Sequence, residues 1–485
     1  MERRYSLAAV FLAIGLWSAS ASAGVTGSAG GGGSLSTVQP SLAINYVIRT
    51  VGLYPSDGGA GGVGCLGEVS MFAGNFAPGG YQFCRGQLMP ISQYEALYSL
   101  IGTTYGGDGI SNFAMPDLRG RVAVGTGTGP GLSPRLLGQT GGAQSVTLTA
   151  SNLPSHSHVL PPPGTVTGST GSGSPSPFSN LQPEMDLNYL IALQGVFPSS
   201  SGGQNVGADP LIGQLLITAD NVVPQGWARC NGQLLSIAQN TALFSVVGTY
   251  FGGNGQTTFG LPDLRGRAPI GIGQGPGLTQ QSWGEVMGTE TVSLTESQLP
   301  SHTHAVAGMS GPTTIADGGG QAHSTMQPTL GLNYIIATQG LYPSRDEYEG
   351  TTDEPLIGQI ELFAGYSLVP DGWAICDGSL LSISSHAALF SLLGTTYGGN
   401  GQTNFGLPDL RGRLAMDSGQ GAGLSNVFLG EESGSENEWL GISEMPGHTH
   451  PYEVPEPATL CFLAAAGAMA GLRGRRAGLQ TARKD

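Results

Sequence analysis

The chain repeats its polar landmarks every 146 residues, and this period constrains its fold more than any other feature. A lone cysteine, a Pro-Asp-Leu-Arg-Gly-Arg string and a His-x-His pair each occur three times at that step. Each repeat is expected to form one structural unit, and a property of one unit is expected in all three. The landmarks are Cys84, Cys230 and Cys376; residues 116–121, 262–267 and 408–413; and His156/His158, His302/His304 and His448/His450.

Composition indicates a turn-rich β protein. Of the 485 residues, 82 are glycine and 31 are proline, yet apolar residues are spread throughout the chain. Only 11% of residues are charged, the formal net charge is −15, and the arginines are scattered outside the two termini. These properties argue against a nucleic-acid-binding protein. The length is enough for about three domains.

The N-terminal residues have the layout of a secretory signal peptide. Arg3 and Arg4 precede an apolar run at residues 7–17, and residues 21–23 form a small-x-small cleavage pattern. The apolar run is too short for a membrane span. We expect signal peptidase to remove residues 1–23, so that the mature chain begins at Gly24. The alternative interpretation is an amphipathic first helix.

A second candidate export signal lies at residues 451–485. A Val-Pro-Glu-Pro string at 454–457 precedes an apolar stretch at 460–472, which Arg473, Arg475 and Arg476 close. This order resembles the PEP-CTERM sorting signal of Gram-negative bacteria. The resemblance implies an exosortase-type sorting enzyme as a partner, transient contact with the inner membrane, and release or attachment at the cell envelope. The alternative is a plain C-terminal transmembrane helix, with the arginines on the cytoplasmic side.

Each repeat is predicted to contain short strands and one short helix. A Gln-Pro start followed by an apolar Asn-Tyr run predicts a strand at residues 39–48, 182–191 and 327–336. A second strand is predicted at 67–72 and its two equivalents. A helix is expected to end at Gly102, Gly248 and Gly394, and Ser92 with Glu95 predicts a capping box for the first one. The predicted fold class is mainly β with one short helix per module (α+β).

The landmarks divide the chain into three homologous modules joined by spacers. The modules are predicted at residues 39–160, 181–305 and 326–450. Residues 24–38, 161–180 and 306–325 are rich in glycine and in serine, threonine or proline, and predict flexible linkers.

The motifs of the modules together resemble the phage tail collar domain of short tail fibres and microcystin-dependent-type bacterial proteins. They are Gly-Trp-x-x-Cys-x-Gly, Thr-Tyr-Gly-Gly-Asx-Gly, Leu-Pro-Asp-Leu-Arg-Gly-Arg and Pro-Ser-His-Thr-His. In those relatives the Asn-Tyr strand typically follows the His-x-His segment. Here one copy precedes the first module and none follows His450. This order predicts a circularly permuted, trimer-like pseudo-threefold arrangement in which the N-terminal strand completes the third module and closes a ring.

The His-x-His pairs are the strongest candidate site. Residues i and i+2 of a strand face the same way, so each pair presents two imidazoles to one side. Three pairs on one axis would give six ligands, an octahedral set unlike the tetrahedral set of structural zinc sites. The resemblance implies the same use, since such fibres bind metal with one pair from each chain of a trimer. The alternative is exposed loop histidines or remnants without a metal. The predicted ligands of a transition-metal ion, iron or zinc, are His156, His158, His302, His304, His448 and His450.

Other conspicuous side chains have simpler interpretations. Asp117 and Arg119, with their equivalents, invite a sugar-binding or acid–base role, but a turn held by Arg–carboxylate hydrogen bonds is favoured. Tyr81, Trp227 and Trp373 are expected to pack over a small core rather than stack on sugars.

The cysteines and the catalytic motifs also favour a structural protein. The three repeated cysteines are expected to be small buried residues, while a Cys65–Cys84 bridge stays open as an alternative. The sequence contains no motif with a nucleophile, a base and an orienting acid, so no catalytic residue is predicted.

These features predict an exported, non-enzymatic structural or adhesive protein of the cell envelope or extracellular matrix of a Gram-negative bacterium. Its modules would recognise extracellular glycans or envelope proteins through their variable loops. One alternative is a fibre tip in a phage-tail-like assembly, and another is a carbohydrate-active enzyme. A phage particle assembled in the cytoplasm has no use for a signal peptide, which favours the envelope role.

Overall fold

The computed structural model describes residues 22–56, 64–160, 166–172, 175–198, 210–306, 314–344, 354–365 and 369–454. Residues 1–21 of the predicted signal peptide (1–23) and residues 455–485 of the predicted sorting tail (451–485) lie outside the described residues. Among the described residues, no helix is long and apolar enough to cross a membrane. The fold is mainly β with three short α-helices among those residues, which confirms the predicted class.

Each repeat begins with a nine-residue long strand that is buried along its whole length. Apolar residues and tyrosine dominate these strands, as expected where both faces of a strand are covered. Each long strand pairs antiparallel with two shorter strands, here called the axial strand and the rim strand. The long strands are Ser41–Arg49, Glu184–Ala192 and Thr329–Ala337; the axial strands are Glu68–Phe72, Gln214–Thr218 and Gln359–Phe363; the rim strands are Tyr81–Phe83, Trp227–Arg229 and Trp373–Ile375.

The axial strands join the three modules. The start of each axial strand pairs with the end of another, so that the three close a triangle. One apolar core runs through all three modules beneath them, and it includes Leu97, Leu243 and Leu389 from the three helices. The modules therefore form one packed body.

Each helix packs on this core and lies, in sequence, between the two paired strands of a short hairpin. The structure contradicts the predicted capping box. A 3₁₀ turn at Ile91–Gln93 takes up Ser92, so the helix begins three residues later, and its N-cap Tyr94 makes no side-chain cap hydrogen bond. The helices are Glu95–Ile101 (α1), Thr241–Val247 (α2) and Ala387–Leu393 (α3). The hairpins pair Leu88–Pro90 with Asn112–Ala114, Leu234–Ser236 with Thr258–Gly260, and Leu380–Ser382 with Asn404–Gly406. A second 3₁₀ turn, Ile237–Gln239, precedes α2.

The ring is closed by the N-terminal strand, as the permuted order predicted. A short strand, here called the linking strand, directly follows each Arg-Gly-Arg turn. The first two linking strands pair in parallel with the next long strand along the chain. The third linking strand, with no long strand after it, pairs with Ser41–Arg49 at the start of the chain. The linking strands are Val122–Gly125, Ala268–Gly271 and Leu414–Asp417, and the two-residue strands that flank the same long strands are Thr140–Gly141, Val286–Met287 and Glu432–Ser433.

The spacers differ from the predicted flexible linkers wherever the structure describes them. Each spacer holds a short strand that pairs with the module that follows the spacer. The partner strand lies in the glycine-rich arm of that module, the segment between its linking strand and its His-x-His pair. Residues 22–38 act as the third spacer, because Ser22–Val25 pairs with Pro451–Val454 beyond the last histidine. The spacer–arm pairs are Ser34–Ser36 with Ser145–Thr147, Phe178–Ser179 with Thr291–Val292, and His323–Ser324 with Asn437–Glu438. Within the third module, Gly419–Gln420 also pairs with Asn426–Val427. In the first two modules a 3₁₀ turn follows the arm strand, at Ala150–Asn152 and Glu296–Gln298.

Candidate metal centre

The three His-x-His pairs converge on one buried point. Each of the six imidazole-bearing residues is 6% exposed or less. The ligand atoms of five of them, all except His304, lie within 4.8 Å of one another. The ring of His304 lies 4.7 Å from that of His450 and 4.8 Å from those of His158 and His448, centroid to centroid. The six histidines predicted from the sequence thus form one cluster, here called the histidine cluster.

The arrangement of the six rings is octahedral. Each ring lies within 5.5 Å of four of the other five and is not in ring contact with the remaining one. The Nε2 atom of His448 lies 3.1 Å from that of His156 and 3.2 Å from that of His302. A metal–nitrogen distance of about 2.1 Å requires neighbouring ligand atoms about 3.0 Å apart in an octahedron. The observed edges are close to that value.

Hydrogen bonds fix which ring nitrogen faces the centre. The Nδ1 atom of every one of the six rings faces a backbone carbonyl at 2.8–3.1 Å. A carbonyl only accepts, so each Nδ1 carries the proton and donates it, and each Nε2 presents a lone pair. Metal-binding histidines are oriented in this way by a second hydrogen bond. The Nε2 contacts are therefore lone pairs facing one another, an arrangement that a cation stabilises.

The two histidines of each pair donate to backbone carbonyls in different parts of the chain. The first histidine donates to the proline carbonyl two residues before it, as His156 does to Pro154. The second donates to a spacer of another repeat: His158 to Ile315, His304 to Gly27 and His450 to Gly168. The glycine-rich spacers carry no periodic signal, and for that reason sequence reasoning missed these carbonyls.

Burial favours the neutral, metal-binding form of five of the six histidines. Desolvation lowers the pKa of His302 and His448 to about 4 and that of His450 to about 3, and neighbouring histidines lower it further. The pKa values of His158 and His304 are lowered for the same main reason. Imidazole must be deprotonated to coordinate a metal, so the cluster needs little proton release before it binds.

The donor set fits a transition-metal ion. The Nε2 atoms of His304 and His450 are buried and make no hydrogen bond to any residue that the structure describes. Leu160, Val306 and Tyr452, each two residues after a second histidine, pack together in a small apolar cluster. Neutral imidazole is a ligand for iron, zinc, copper and nickel.

The remaining candidate residues have structural roles. Arg119 donates from Nε and from its terminal nitrogen to the two oxygens of Asp117, at 2.8 and 2.9 Å, and the other two modules repeat this bidentate pair. The predicted turn staple is confirmed. Tyr81, Trp227 and Trp373 are buried, at 6%, 6% and 9% exposure, which confirms that they pack rather than present a surface.

The cysteines are small buried residues, as predicted. Cys84, Cys230 and Cys376 are buried free thiols, and burial raises the pKa of each. The alternative of a Cys65–Cys84 bridge is wrong, since the Cys84 thiol is free.

A buried charge cluster at the junction of the first two modules was not predicted. Arg135 forms ion pairs with Glu184 and, at 3.4 Å, with Glu290, and its guanidinium lies 4.0 Å from Asp186. Neither oxygen of Asp186 has a hydrogen-bond partner among the described residues. Desolvation raises the pKa of Asp186 to about 8, although Arg135 opposes the shift. One cation thus faces three carboxyl groups inside the protein.

Substituting this aspartate should stabilise the protein at alkaline pH. A raised pKa means that the folded state holds a proton that the unfolded state loses above about pH 4, so stability falls as pH rises towards 8. Asp186→Asn removes this loss, and we expect a gain on the order of 1–4 kcal/mol in the free energy of unfolding at pH 8. Urea denaturation at pH 8 and pH 4 measures it. Equal stability of the two proteins at pH 8 would show that Asp186 ionises normally.

Comparisons with known proteins identify the modules. Residues 67–123, 213–269 and 358–415 each match the Phage Tail Collar Domain. The short tail fiber protein gp12 of Enterobacteria phage T4 is 32% identical over 143 residues, which are 30% of this chain and 26% of that protein. Protein RhiB of Rhizobium leguminosarum bv. viciae is 27% identical over 124 residues, 24% of this chain and 53% of RhiB. No solved structure matches the chain.

Each of the three modules therefore contains a segment similar to the tail collar domain, and the three segments lie in tandem along the chain. Each matched segment runs from the axial strand to the linking strand and leaves out the long strand and the His-x-His pair. The aligned regions span about a quarter of gp12 and about half of RhiB. The comparisons thus support a structural, tail-fibre-like protein, and the histidine cluster rests on the geometry alone.

Proposed function

We propose that the chain is an exported structural and adhesive protein of the cell envelope or extracellular matrix of a Gram-negative bacterium. The observation that carries this proposal is the ring: the first long strand completes the last module, so one chain builds a three-module head with threefold pseudosymmetry. The similarity to a short tail fiber protein supports a structural role for such a head. The predicted signal peptide and sorting tail give it an extracytoplasmic location.

A transition-metal ion, iron or zinc, in the histidine cluster would hold the head together. His156 and His158, His302 and His304, and His448 and His450 would supply two ligands from each module. The ion would supply a cross-link between the modules rather than an activated water, because all six positions are taken by protein ligands, as in closed structural sites. The structural consequence is a head that is more stable with the ion bound than without it.

A fibre tip in a phage-tail-like assembly is the second candidate function. The 32% identity to the T4 short tail fiber protein favours it. The two candidates differ in location, since a tail assembly forms in the cytoplasm whereas the envelope protein passes signal peptidase and an exosortase-type enzyme.

Fractionation of a Gram-negative host that has an exosortase would decide between them. We expect the full chain in the envelope or medium, with an N-terminus at Gly24 and a shortened C-terminus by mass spectrometry. A matched variant lacking residues 455–485 should still lose its signal peptide but escape sorting. An intact N-terminus on cytoplasmic protein, or co-sedimentation with tail particles, would reject the envelope role.

A further inference from the structure

A cleft at the junction of the second and third modules has no described function. Its volume is about 480 Å³, within the range of pockets that hold small molecules. Tyr250 and Trp283 of the second repeat form one side, with ring centroids 4.2 Å apart. Ile272, Ile375 and the Asn333 amide, from the second and third repeats, form part of its lining.

The asparagine oxygen in this cleft has lost the partners that its equivalents keep. Asn333 donates to the Gly365 carbonyl at 2.7 Å, which turns its Oδ1 the other way. That oxygen is buried and accepts no hydrogen bond from any described residue. At the first junction Asn188 Oδ1 accepts from Thr126 and, at 2.8 Å, from Arg229. At the ring-closing junction Asn45 Oδ1 accepts from Ser418.

Two apolar substitutions explain the difference. Ile272 stands where the other repeats have Thr126 and Ser418, since all three donate their backbone N–H to the residue before the asparagine. Ile375 stands where the first junction has Arg229, opposite the long strand in the same register. The two isoleucines therefore leave Asn333 Oδ1 as an unsatisfied acceptor on a residue that lines the cleft. An unsatisfied buried acceptor costs roughly 1–3 kcal/mol, which a donor on a ligand would recover.

The aromatic wall is also peculiar to this junction. The residues equivalent to Tyr250 and Trp283 are Thr104 and Leu137 in the first repeat and Thr396 and Leu429 in the third. Trp283 is 7% exposed, while Tyr250 is 48% exposed and presents its ring to solvent.

The polar groups of the cleft favour a neutral ligand with several hydroxyls. Gln281, which is 2% exposed, has an unpartnered Oε1 that adds a second acceptor to the lining. The Arg411 guanidinium is paired with both oxygens of Asp409, whereas the Asp377 carboxylate in the lining accepts from Ser379 and keeps a negative charge that disfavours an anionic ligand.

We propose that this cleft binds a neutral glycan unit. A pyranose has a rim of hydroxyls that can donate to Asn333 Oδ1 and Gln281 Oε1, and a face of C–H bonds that can lie against Tyr250 and Trp283. Pockets of this kind combine an apolar wall with a few placed polar groups. The inference specifies a ligand class and a location for the adhesive role proposed above, and rests on that role only for the source of the glycan.

Calorimetric titration of the full chain with neutral trisaccharides (maltotriose, cellotriose, triacetylchitotriose and mannotriose) tests the cleft, with sialyllactose as an anionic comparison. We expect saturable binding of one site per chain by at least one neutral trisaccharide. Ile272→Thr gives Asn333 the hydroxyl that its equivalents have, and should weaken binding by about threefold to tenfold. The double variant Tyr250→Thr, Trp283→Leu carries the residues of the other junctions and should weaken it further.

The control is Trp439→Leu, which removes an exposed tryptophan outside the cleft and should leave binding unchanged. Melting curves of each variant would confirm that it folds. Absence of binding to all four neutral sugars, preference for sialyllactose, or full binding by both cleft variants would overturn the proposal. A protein that reaches the envelope yet binds none of these sugars would refute the glycan cleft while leaving the envelope role intact.

Discussion

The purified protein is expected to carry one iron or zinc ion per chain, and removal of that ion should lower its melting temperature by roughly 5–15 °C. The reason is that the six Nε2 lone pairs meet only in the closed ring, so the ion binds the folded state and not the unfolded one. At a free metal concentration a thousandfold above the dissociation constant, such binding stabilises by about 4 kcal/mol. Elemental analysis and calorimetry before and after chelation provide the measurement.

A histidine substitution distinguishes the stability contributed by the metal from that contributed by packing. His304→Ala should reduce the metal content and the melting temperature together, whereas His386→Ala, outside the cluster, should change neither. If chelated wild-type protein and His304→Ala melt at the temperature of untreated wild type, the cluster is not a metal site.

The metal-free protein is also expected to be sensitive to mild acid. Burial holds the pKa of His302 and His448 near 4, whereas an exposed histidine takes up its proton near pH 6.5. The unfolded chain therefore binds more protons between these values, so stability is complete above about pH 6.5 and falls as pH drops towards 4. Urea denaturation of chelated protein at pH 7 and pH 5 should show this loss.

The second large effect concerns closure of the ring. Ile44, Leu187 and Leu332 occupy equivalent positions in the three long strands, and each is 0% exposed. Replacing any one by alanine should cost about 2–5 kcal/mol in the free energy of unfolding, through lost burial and the cavity left behind. Because Ser41–Arg49 is as fully integrated as its two counterparts, Ile44→Ala should be as costly as the other two.

Urea denaturation of the three matched variants measures this, with the Leu187 and Leu332 variants as controls for the Ile44 variant. An open arrangement, with the first strand loosely attached, predicts a different pattern. Ile44→Ala would then cost less than about 1 kcal/mol while the other two kept their full effect.

The sequence was most predictive where the repeats agree. The 146-residue step and the Asn-Tyr strand placed ahead of the first module were enough to predict that Ser41–Arg49 completes the third module. The same equivalence of positions in the three repeats predicted that the three His-x-His pairs would lie together. Chemical specificity also helped at the Asp117–Arg119 turn, where a carboxylate two residues before an arginine accepts both donors of its fork.

The sequence was least predictive where remote segments meet. The carbonyls of Gly27, Gly168 and Ile315 orient three histidines, but backbone atoms in glycine-rich spacers leave no side-chain signal. Arg135 and Asp186 are 51 positions apart, and the pairing of Val122–Gly125 and Thr140–Gly141 with the next long strand brings their elements together. The prediction of a capping box at Ser92 failed because the residue preferences of this segment do not reveal the 3₁₀ turn that precedes the helix.

Ring closure also determines when the protein can finish folding. The backbone N–H of Tyr46 donates to the Asp417 carboxylate, 371 residues further along the chain. Residues 45–49 of this strand can pair within the first module, but residues 41–44 wait with their edges unpaired until the last module has been synthesised. Contacts of such long sequence separation slow folding and leave an exposed strand that can pair with other chains. During that interval the protein is expected to depend on chaperones or on passage through a secretion channel in an extended state, and its aggregation should be most severe in chains truncated before residue 414.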